Sequence, residues 1–319
     1  MLEFALRRLL QVLPVVFLCT VSVFLLLHLI PGDPVVVLAG PDATPEAIQA
    51  MRQELGLDKP LPIQYGIWLS RVVQGDFGRS YAYRRPVGEL ILRRIPATVE
   101  LALAGLALTV LVAIPTGVMA AVKQGSIFDW LASTLSGFAI AMPNFWFGIL
   151  AITLFSLTLG WLPPGGMVEL TRDPVGGLRF LVLPAVTLAL NQAAVLSRFV
   201  KSSVLEVLYE DYVRTAHAKG LSEQQITRRH VLRTALIPIA TVFGLEFGRL
   251  LGGAVIVESV FAWPGVGLLI VQGILHRDYP IVQATLLFLV ITFVAVNLVT
   301  DLLYGFLDPR IRLAARRHS

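Results

Sequence analysis

Six stretches of this chain are too long and too apolar to be helices of a soluble domain. They run Leu9–Ile30, Thr98–Val122, Trp130–Leu159, Leu181–Val200, Leu236–Val257 and Ile281–Phe306. A bilayer core about 30 Å thick needs about 20 apolar helical residues per crossing, so each stretch predicts a transmembrane helix. Backbone polar groups in lipid must be satisfied within the segment, which predicts an all-α integral membrane fold with six transmembrane helices. Composition agrees: 56% of the 319 residues are hydrophobic and 15% charged, with mean hydropathy +0.75. Soluble chains carry roughly a quarter charged residues. The third stretch exceeds one straight crossing and contains Pro143-Asn144, so it is expected to be tilted or broken. The first follows Arg7-Arg8 as in a signal peptide. It is longer than a signal h-region and ends in no small-x-small site, so it is expected to stay as a span.

The formal net charge is +5 and the pI about 9.6. A basic balance fits nucleic-acid binding, but the distribution fits a membrane instead. Short segments on one side hold Arg7, Arg8, Lys123, Lys201, Arg214, Lys219, Arg228, Arg229, Arg233, Arg310, Arg312, Arg316 and Arg317. Those on the other side hold Arg172, Arg179 and Arg277. The positive-inside rule then places both termini in the cytoplasm, as an even number of spans requires. The long external segment Pro31–Ile95 also carries arginines, but long loops translocate largely regardless of charge.

Three parts follow. Residues 1–95 hold the first span and the long external segment. Residues 96–306 are the membrane core with a cytoplasmic loop at 201–235, and residues 307–319 are a basic cytoplasmic tail. Within the external segment, Pro45–Leu55 reads as a polar helix, Leu61–Val73 as an amphipathic one and Gly75-Asp76-Phe77-Gly78 as a turn. The segment fits either a lid over the bundle or a docking surface. The cytoplasmic loop reads as helix, turn at Gly220, then a second helix capped by Ser222.

Much chemistry is missing. No Gly-Lys pair exists, so no phosphate loop of the G-x-x-x-x-G-K type is present. The histidines at 28, 217, 230, 276 and 318 do not pair at metal-ligand spacing, and Cys19 stands alone. No catalytic residue, metal site or cofactor is expected in this chain.

The most informative stretch is Glu210-Asp211-Tyr212-Val213-Arg214-Thr215-Ala216-His217-Ala218-Lys219-Gly220-Leu221-Ser222. Small residues at 215, 216 and 218 let a helix sit flush in a partner's groove, and Gly220 permits a sharp corner. The same pattern also fits a solvated loop helix with an ordinary Gly cap. The stretch resembles the E-A-A-x-x-x-G loop of ABC importer permeases, in the R-T-A-x-A-K-G-L form of the dipeptide, oligopeptide and nickel group. His217 stands where that group usually has Arg. Further matches in order are Pro31-Gly32-Asp33-Pro34, Leu55-Gly56-Leu57-Asp58, Gly75-Asp76-Phe77-Gly78, Leu251-Gly252-Gly253-Ala254, Trp263-Pro264-Gly265-Val266-Gly267, Arg277-Asp278-Tyr279-Pro280 and Asp308-Pro309-Arg310.

The resemblance, to the first of the two permeases of such importers, implies a type I ABC importer permease fold in the bacterial inner membrane. It implies a second permease subunit, two ABC ATPase subunits that bind ATP and Mg, and a periplasmic or lipid-anchored solute-binding protein. The chain itself would then be no enzyme. Glu210, Asp211, Tyr212, Arg214, Thr215, Ala216, Ala218, Lys219, Gly220 and Leu221 would contact and couple to the ATPases. The implied solute is a di- or oligopeptide, with glutathione or nickel as alternatives.

Ionisable and amide side chains inside the spans are pathway candidates. Glu246 and Arg249 lie three apart on one helical face. They fit an intrahelical ion pair or a polar patch for a zwitterionic solute. Asn144, Asn191 and Gln192 fit either the pathway or interhelical hydrogen bonds. Glu258, Trp263, Pro264, Gly265 and Asp278 are candidates for an external gate or receptor-docking turn. A proton-driven transporter using Glu246 or Asp301 would call for inverted repeats, and none is visible.

Overall fold

The computed structural model describes residues 2–29, 35, 43–54 and 56–307, with side chains at 9–25, 35, 43–50, 52–53, 56–236, 239, 242, 248–250, 252–300 and 302. The Pro31–Pro34 motif, Leu55, the motif from Asp308 and the tail from that residue on lie outside the described residues, as do the side chains of Glu246, Asp301 and Tyr304.

Twelve helices follow in chain order among the described residues. They are α1 (Leu2–Leu29), α2 (Pro45–Glu54), α3 (Leu61–Val73), α4 (Val87–Val122), α5 (Ile127–Ala141) and α6 (Asn144–Ala151). Then come α7 (Pro174–Leu208), α8 (Asp211–Ala218), α9 (Glu223–Ile226), α10 (Leu232–Val260), α11 (Val266–Leu275) and α12 (Tyr279–Leu307). Wider π-helical turns extend α6 over Ile152–Thr158 and precede α10 over Thr227–Val231. The only β pairing among the described residues is an isolated bridge between Arg79 and Pro86.

Among the described residues, α4, α7 and Tyr279–Thr300 are long and apolar enough to cross a membrane. The third apolar stretch makes a fourth if its two bent halves count as one span. The first and fifth stretches are also helical, α1 with 28 residues and α10 with 29, but their side chains are described only in part. The second expected span is longer than its apolar run: α4 begins at Val87.

The third stretch is broken where the sequence places Pro143. Met142 and Pro143 are extended, with ψ 123° and 134°, and α6 sets off 103° from α5. In an unbroken helix the carbonyls of Ala139 and Ile140 would accept from the amides of residues 143 and 144. Pro143 has no N–H, and Asn144 lies beyond the bend.

The chain forms two compact units. One comprises Met1–Arg7, Val99–Trp263 and Ala295–Ser319; the other comprises Arg8–Thr98 and Pro264–Val294. In the first, α7 is central, with 67% of its apolar window buried. Gly117 lets α4 approach it closely: a Cβ there would lie 2.6 Å from the Ser197 carbonyl oxygen and 2.7 Å from Val200 Cβ. Small residues at such contacts are how membrane helices gain dispersion energy, since lipid supplies no hydrophobic drive between them. Thr116 and Ser197 share a hydroxyl–hydroxyl bond of 2.9 Å beside it.

The second unit has a core of Val87, Ile91, Leu269, Ile281 and Ala284. Its polar knot is Asp278, fully buried, which accepts from Ser80 Oγ at 2.5 Å and from the Ala82 amide at 2.9 Å. Gly75 and Gly78 sit at φ 82° and 78°, and Asp76 Oδ1 accepts from the Gly78 amide, so the expected Gly-Asp-Phe-Gly turn forms.

Candidate functional site

The loop between α7 and α10 is built outward from a buried seam. Helix α8 turns Val213 and Ala216, three positions apart, to the inside, at 0% and 6% exposure. They join Val200, Val204 and Val207 of α7, Ile226 of α9 and Val231 in one apolar cluster. Outside a membrane, each large buried side chain of this kind contributes about 1.5–3 kcal/mol. The exposed pair Arg214–Asp211, at 3.5 Å with side chains 79% and 97% exposed, is worth at most about 0.5 kcal/mol. Apolar burial therefore fixes the loop onto the end of α7, and its surface charges do not.

Gly220, at φ 78°, ends α8 in the left-handed region, where other residues are strained. No atom outside its immediate neighbours comes within 4 Å of a Cβ placed there, so the restriction is purely conformational. Ser222 then starts α9 in a capping box with Gln225, with bonds of 3.4 and 3.2 Å. His217 bridges the corner, with Nδ1 2.9 Å from the Val213 carbonyl and Nε2 2.9 Å from Glu223 Oε1. Both partners are acceptors, so only the doubly protonated ring satisfies both. The Val213 carbonyl first, and then Glu223, hold the His217 pKa above its ordinary value. Tyr212 donates to Thr234 Oγ1 at 3.1 Å and Tyr209 to Gln124 Oε1 at 2.9 Å, tying the loop to α10 and to the turn before α5.

The outer face carries Glu210, Asp211, Tyr212, Arg214, Thr215, Ala218, Lys219, Gly220 and Leu221, all exposed. Of the residues expected to meet an ATPase, Ala216 alone turns inward and packs on the chain's own core.

The structure describes the side chains of four of the five pathway candidates, Asn144, Asn191, Gln192 and Arg249. Asn191 Nδ2 reaches the carbonyls of Ile140 at 3.2 Å and Ala139 at 3.4 Å, the two that the Pro143 break deprives of helical partners. Its geometry is that of interhelical glue. Gln192 is buried, and its Oε1 has no partner among the described residues. Gly105 meets Leu188 and Gly117 meets Val200. The same offset brings Gln192 level with buried Thr109, whose hydroxyl also lacks a partner. Asn144 is half-buried at the start of α6, and a Cβ on Gly253 would lie 3.7 Å from its amide nitrogen. Arg249 is exposed on α10, while the side chain of Glu246 lies outside the described residues.

The external candidates are divided between the units. In the first, Glu258 and Trp263 are fully buried, and the Trp263 amide donates to the Glu258 carbonyl at 2.9 Å. In the second, Pro264 is half-buried and Gly265 buried, leading into α11, whose Val266 amide donates to Thr98 Oγ1 at 2.8 Å. Asp278 is the buried knot described above. Glu258, Trp263 and Asp278 therefore fit internal braces better than a docking face.

One cluster escaped sequence reading. Asp129, at the start of α5, pairs with Lys201 of α7 and accepts from the Gly125 amide at 3.1 Å and Ser133 Oγ at 3.3 Å. The S-x-x-D spacing of Ser126 and Asp129 signalled a helix start, and Ser126 Oγ does cap it at 3.3 Å. The partner Lys201, 72 residues away, gave no signal.

Among the described residues no group of His, Cys, Asp and Glu could hold a metal ion. What the arrangement offers is mechanical: an exposed helical corner seated on the buried apolar end of α7.

Residues 113–313 match the family described as binding-protein-dependent transport system inner membrane component. Residues 1–102 match the N-terminal part of such membrane components. The chain belongs to this permease family. It is thus the permease component of a binding-protein-dependent ABC importer and an inner-membrane, multi-pass protein. The permease is 46% identical over 307 residues to a Brucella abortus protein named as a peptide transport system permease, covering 96% of this chain and 98% of that one. It is 43% identical over 312 residues to the glutathione transport system permease protein of Escherichia coli K12, covering 98% and 99%. Among solved structures it is similar to the MetNI methionine ABC transporter in inward facing conformations, with TM-score 0.57 and 18% identity over 69% of this chain and 96% of that one. An amino acid ABC transporter solved with histidines gives TM-score 0.53 and 16% identity over 68% and 94%. These likenesses concern the fold, that of type I ABC importer permeases, and family membership leaves the proton-driven reading without support.

Proposed function

We propose that this permease carries di- or oligopeptides inward across the membrane, and that the Asp211–Leu221 corner takes up the motion of partner ATPases. The observation that carries the coupling role is the shared apolar seam of α7, α8 and α9 beneath an exposed outer face. A push on that face passes to α7 through this seam. This is a rigid-body change biased by a ligand on a partner. The working assembly is this chain, a second permease, two ATPases that bind ATP and Mg, and a periplasmic or lipid-anchored solute-binding protein. Both termini and the corner lie on the cytoplasmic side, where the short basic segments gather. The permease itself holds no cofactor and hydrolyses nothing.

The names of its relatives support peptide as the solute, with glutathione second. Gentle solubilisation of C-terminally tagged chain, followed by mass spectrometry, should recover ATPases and a second permease. Uptake of labelled dipeptide, tripeptide, glutathione and nickel by cells with and without the gene then reads the solute. Loss of glutathione uptake alone would replace the peptide reading.

A further inference from the structure

Helix α3 belongs to the long segment between the first two apolar stretches, and its packing fits neither a free lid nor a water-facing loop. Tyr65 meets Phe24 of α1 edge-on and Trp68 packs against it at a tilt, with ring centroids 5.4 and 5.9 Å away, and Tyr65 meets Phe17 edge-on at 6.4 Å. These α1 residues lie inside the apolar run Leu9–Leu25. Thr20, the centre of the contact, is nine residues short of Leu29, so α3 touches α1 about 14 Å below its C-terminal end.

The polar groups of α3 are satisfied as a lipid-facing helix requires. Thr20 donates to the Phe17 carbonyl at 2.7 Å, which leaves the Tyr65 hydroxyl to donate to Thr20 at 2.8 Å. Gln64 donates to the Lys59 carbonyl at 2.7 Å and Ser70 to the Ile67 carbonyl at 2.8 Å. The one charged residue of Leu61–Val73 is Arg71, in the last turn. The exposed apolar side chains of α3 are Leu61, Ile63 and Val73, at 45%, 50% and 80%, with Ser70 and Arg71 exposed beside them. On α1, Leu13 and Leu18 are likewise exposed, at 63% and 62%. Tyr and Trp are also the residues that gather at membrane–water boundaries.

We propose that α3 is a lipid-facing helix, lying on α1 with Leu61, Ile63 and Val73 among the acyl chains of the leaflet at the C-terminal end of α1 and Arg71 toward the headgroups. Its partner is lipid, and the surface it offers is of the kind that amphipathic interfacial helices bury. The proposal rests on α1 being a membrane span.

The test is nitroxide accessibility in the full chain, with Cys19→Ser as background, in nanodiscs of phosphatidylethanolamine and phosphatidylglycerol. Single labels go at Ile63→Cys and Val73→Cys, with Leu13→Cys on α1 and Gln49→Cys on α2 as lipid and water references. The expected result is that Ile63 and Val73 meet oxygen severalfold more than a water-soluble nickel chelate, as Leu13 does and Gln49 does not. Chelate access at Ile63 and Val73 with Leu13 still in lipid would overturn the proposal and leave α1 as a span. Protection of both labels from both reagents would overturn it in favour of a protein-covered face. Chelate access at Leu13 as well would overturn the reading of α1 and the proposal with it.

Discussion

The side-chain amide of Asn191 hydrogen-bonds the carbonyl of Ile140 at 3.2 Å, across 51 positions of sequence, at the point where Pro143 ends α5. An amide side chain thereby closes a helix end that would otherwise stand open at membrane depth. Asn191→Ala should lower stability by about 1 kcal/mol, the scale of interhelical hydrogen bonds in membranes. Solute selectivity should not change. Thermal unfolding in detergent and competition uptake together check this; altered selectivity with unaltered stability would return Asn191 to the pathway.

The other end of α5 is held by Lys201 and Asp129. Asp129→Asn or Lys201→Met should each cost about 2 kcal/mol, since each strands a charged hydrogen-bonding partner. Exchanging the two residues should recover part of that loss, read by the same unfolding assay. Additive losses in the exchanged protein would show that the two side chains do not act as a pair.

Gly220 stands in open space at φ 78°. Gly220→Ala should cost about 1–2 kcal/mol of left-handed strain locally, and the β-branched Gly220→Val more. Membrane insertion should survive in both. In reconstituted transporter, Gly220→Val should keep ATP hydrolysis while losing uptake, and Gly220→Ala should fall between. Full uptake by the valine variant would remove the corner from the coupling path.

His217 makes the corner sensitive to pH. Its folded pKa is raised, so the bonds to Val213 and Glu223 favour the protonated ring. Their contribution is complete below the ordinary His value of about 6.5 and is lost as pH rises through the raised folded value. Amide exchange at Gly220 and Leu221 should therefore quicken across that window. Glu223→Gln should shift the change to lower pH, and high salt should blunt it because the pair is exposed.

Asp278 and Tyr81 give a test in the second unit. Burial, and next the Asp278 carboxylate, push the Tyr81 phenol up to about 12. Phenolate absorbance should show one late-titrating tyrosine, and Asp278→Asn should bring its titration earlier. The same substitution weakens the bonds from Ser80 and Ala82 and should lower stability, by about 1–3 kcal/mol.

What could be read from sequence was local. Pro143 announces a break because it lacks an N–H. Gly220 and Ser222 announce a corner because each has a conformational or capping preference of its own. Family resemblance, carried by many short motifs in order, reached the permease fold. Illegible was whatever depends on distant partners. For Asn191 the sequence fits both pathway and interhelical bonding, because the carbonyls of Ala139 and Ile140 that it reaches lie 52 and 51 positions away. Asp278 looked like an outer polar residue because Ser80 and Ala82 lie almost 200 positions away. Ala216 looked like a contact residue because an eight-residue helix carries too few positions to show which face is inner.

The 103° bend also bears on how the chain is made. Helix α5 has 15 residues, and α6 with its π-helical extension runs Asn144–Thr158, so each half rises at most about 22 Å and neither alone reaches across a bilayer. While the ribosome has yet to deliver residue 191, the carbonyls of Ala139 and Ile140 have no protein partner at the bend. In lipid such unpaired carbonyls are costly, and the arrival of Asn191 with α7 removes that cost. One asparagine thus marks the moment at which this part of the permease becomes complete.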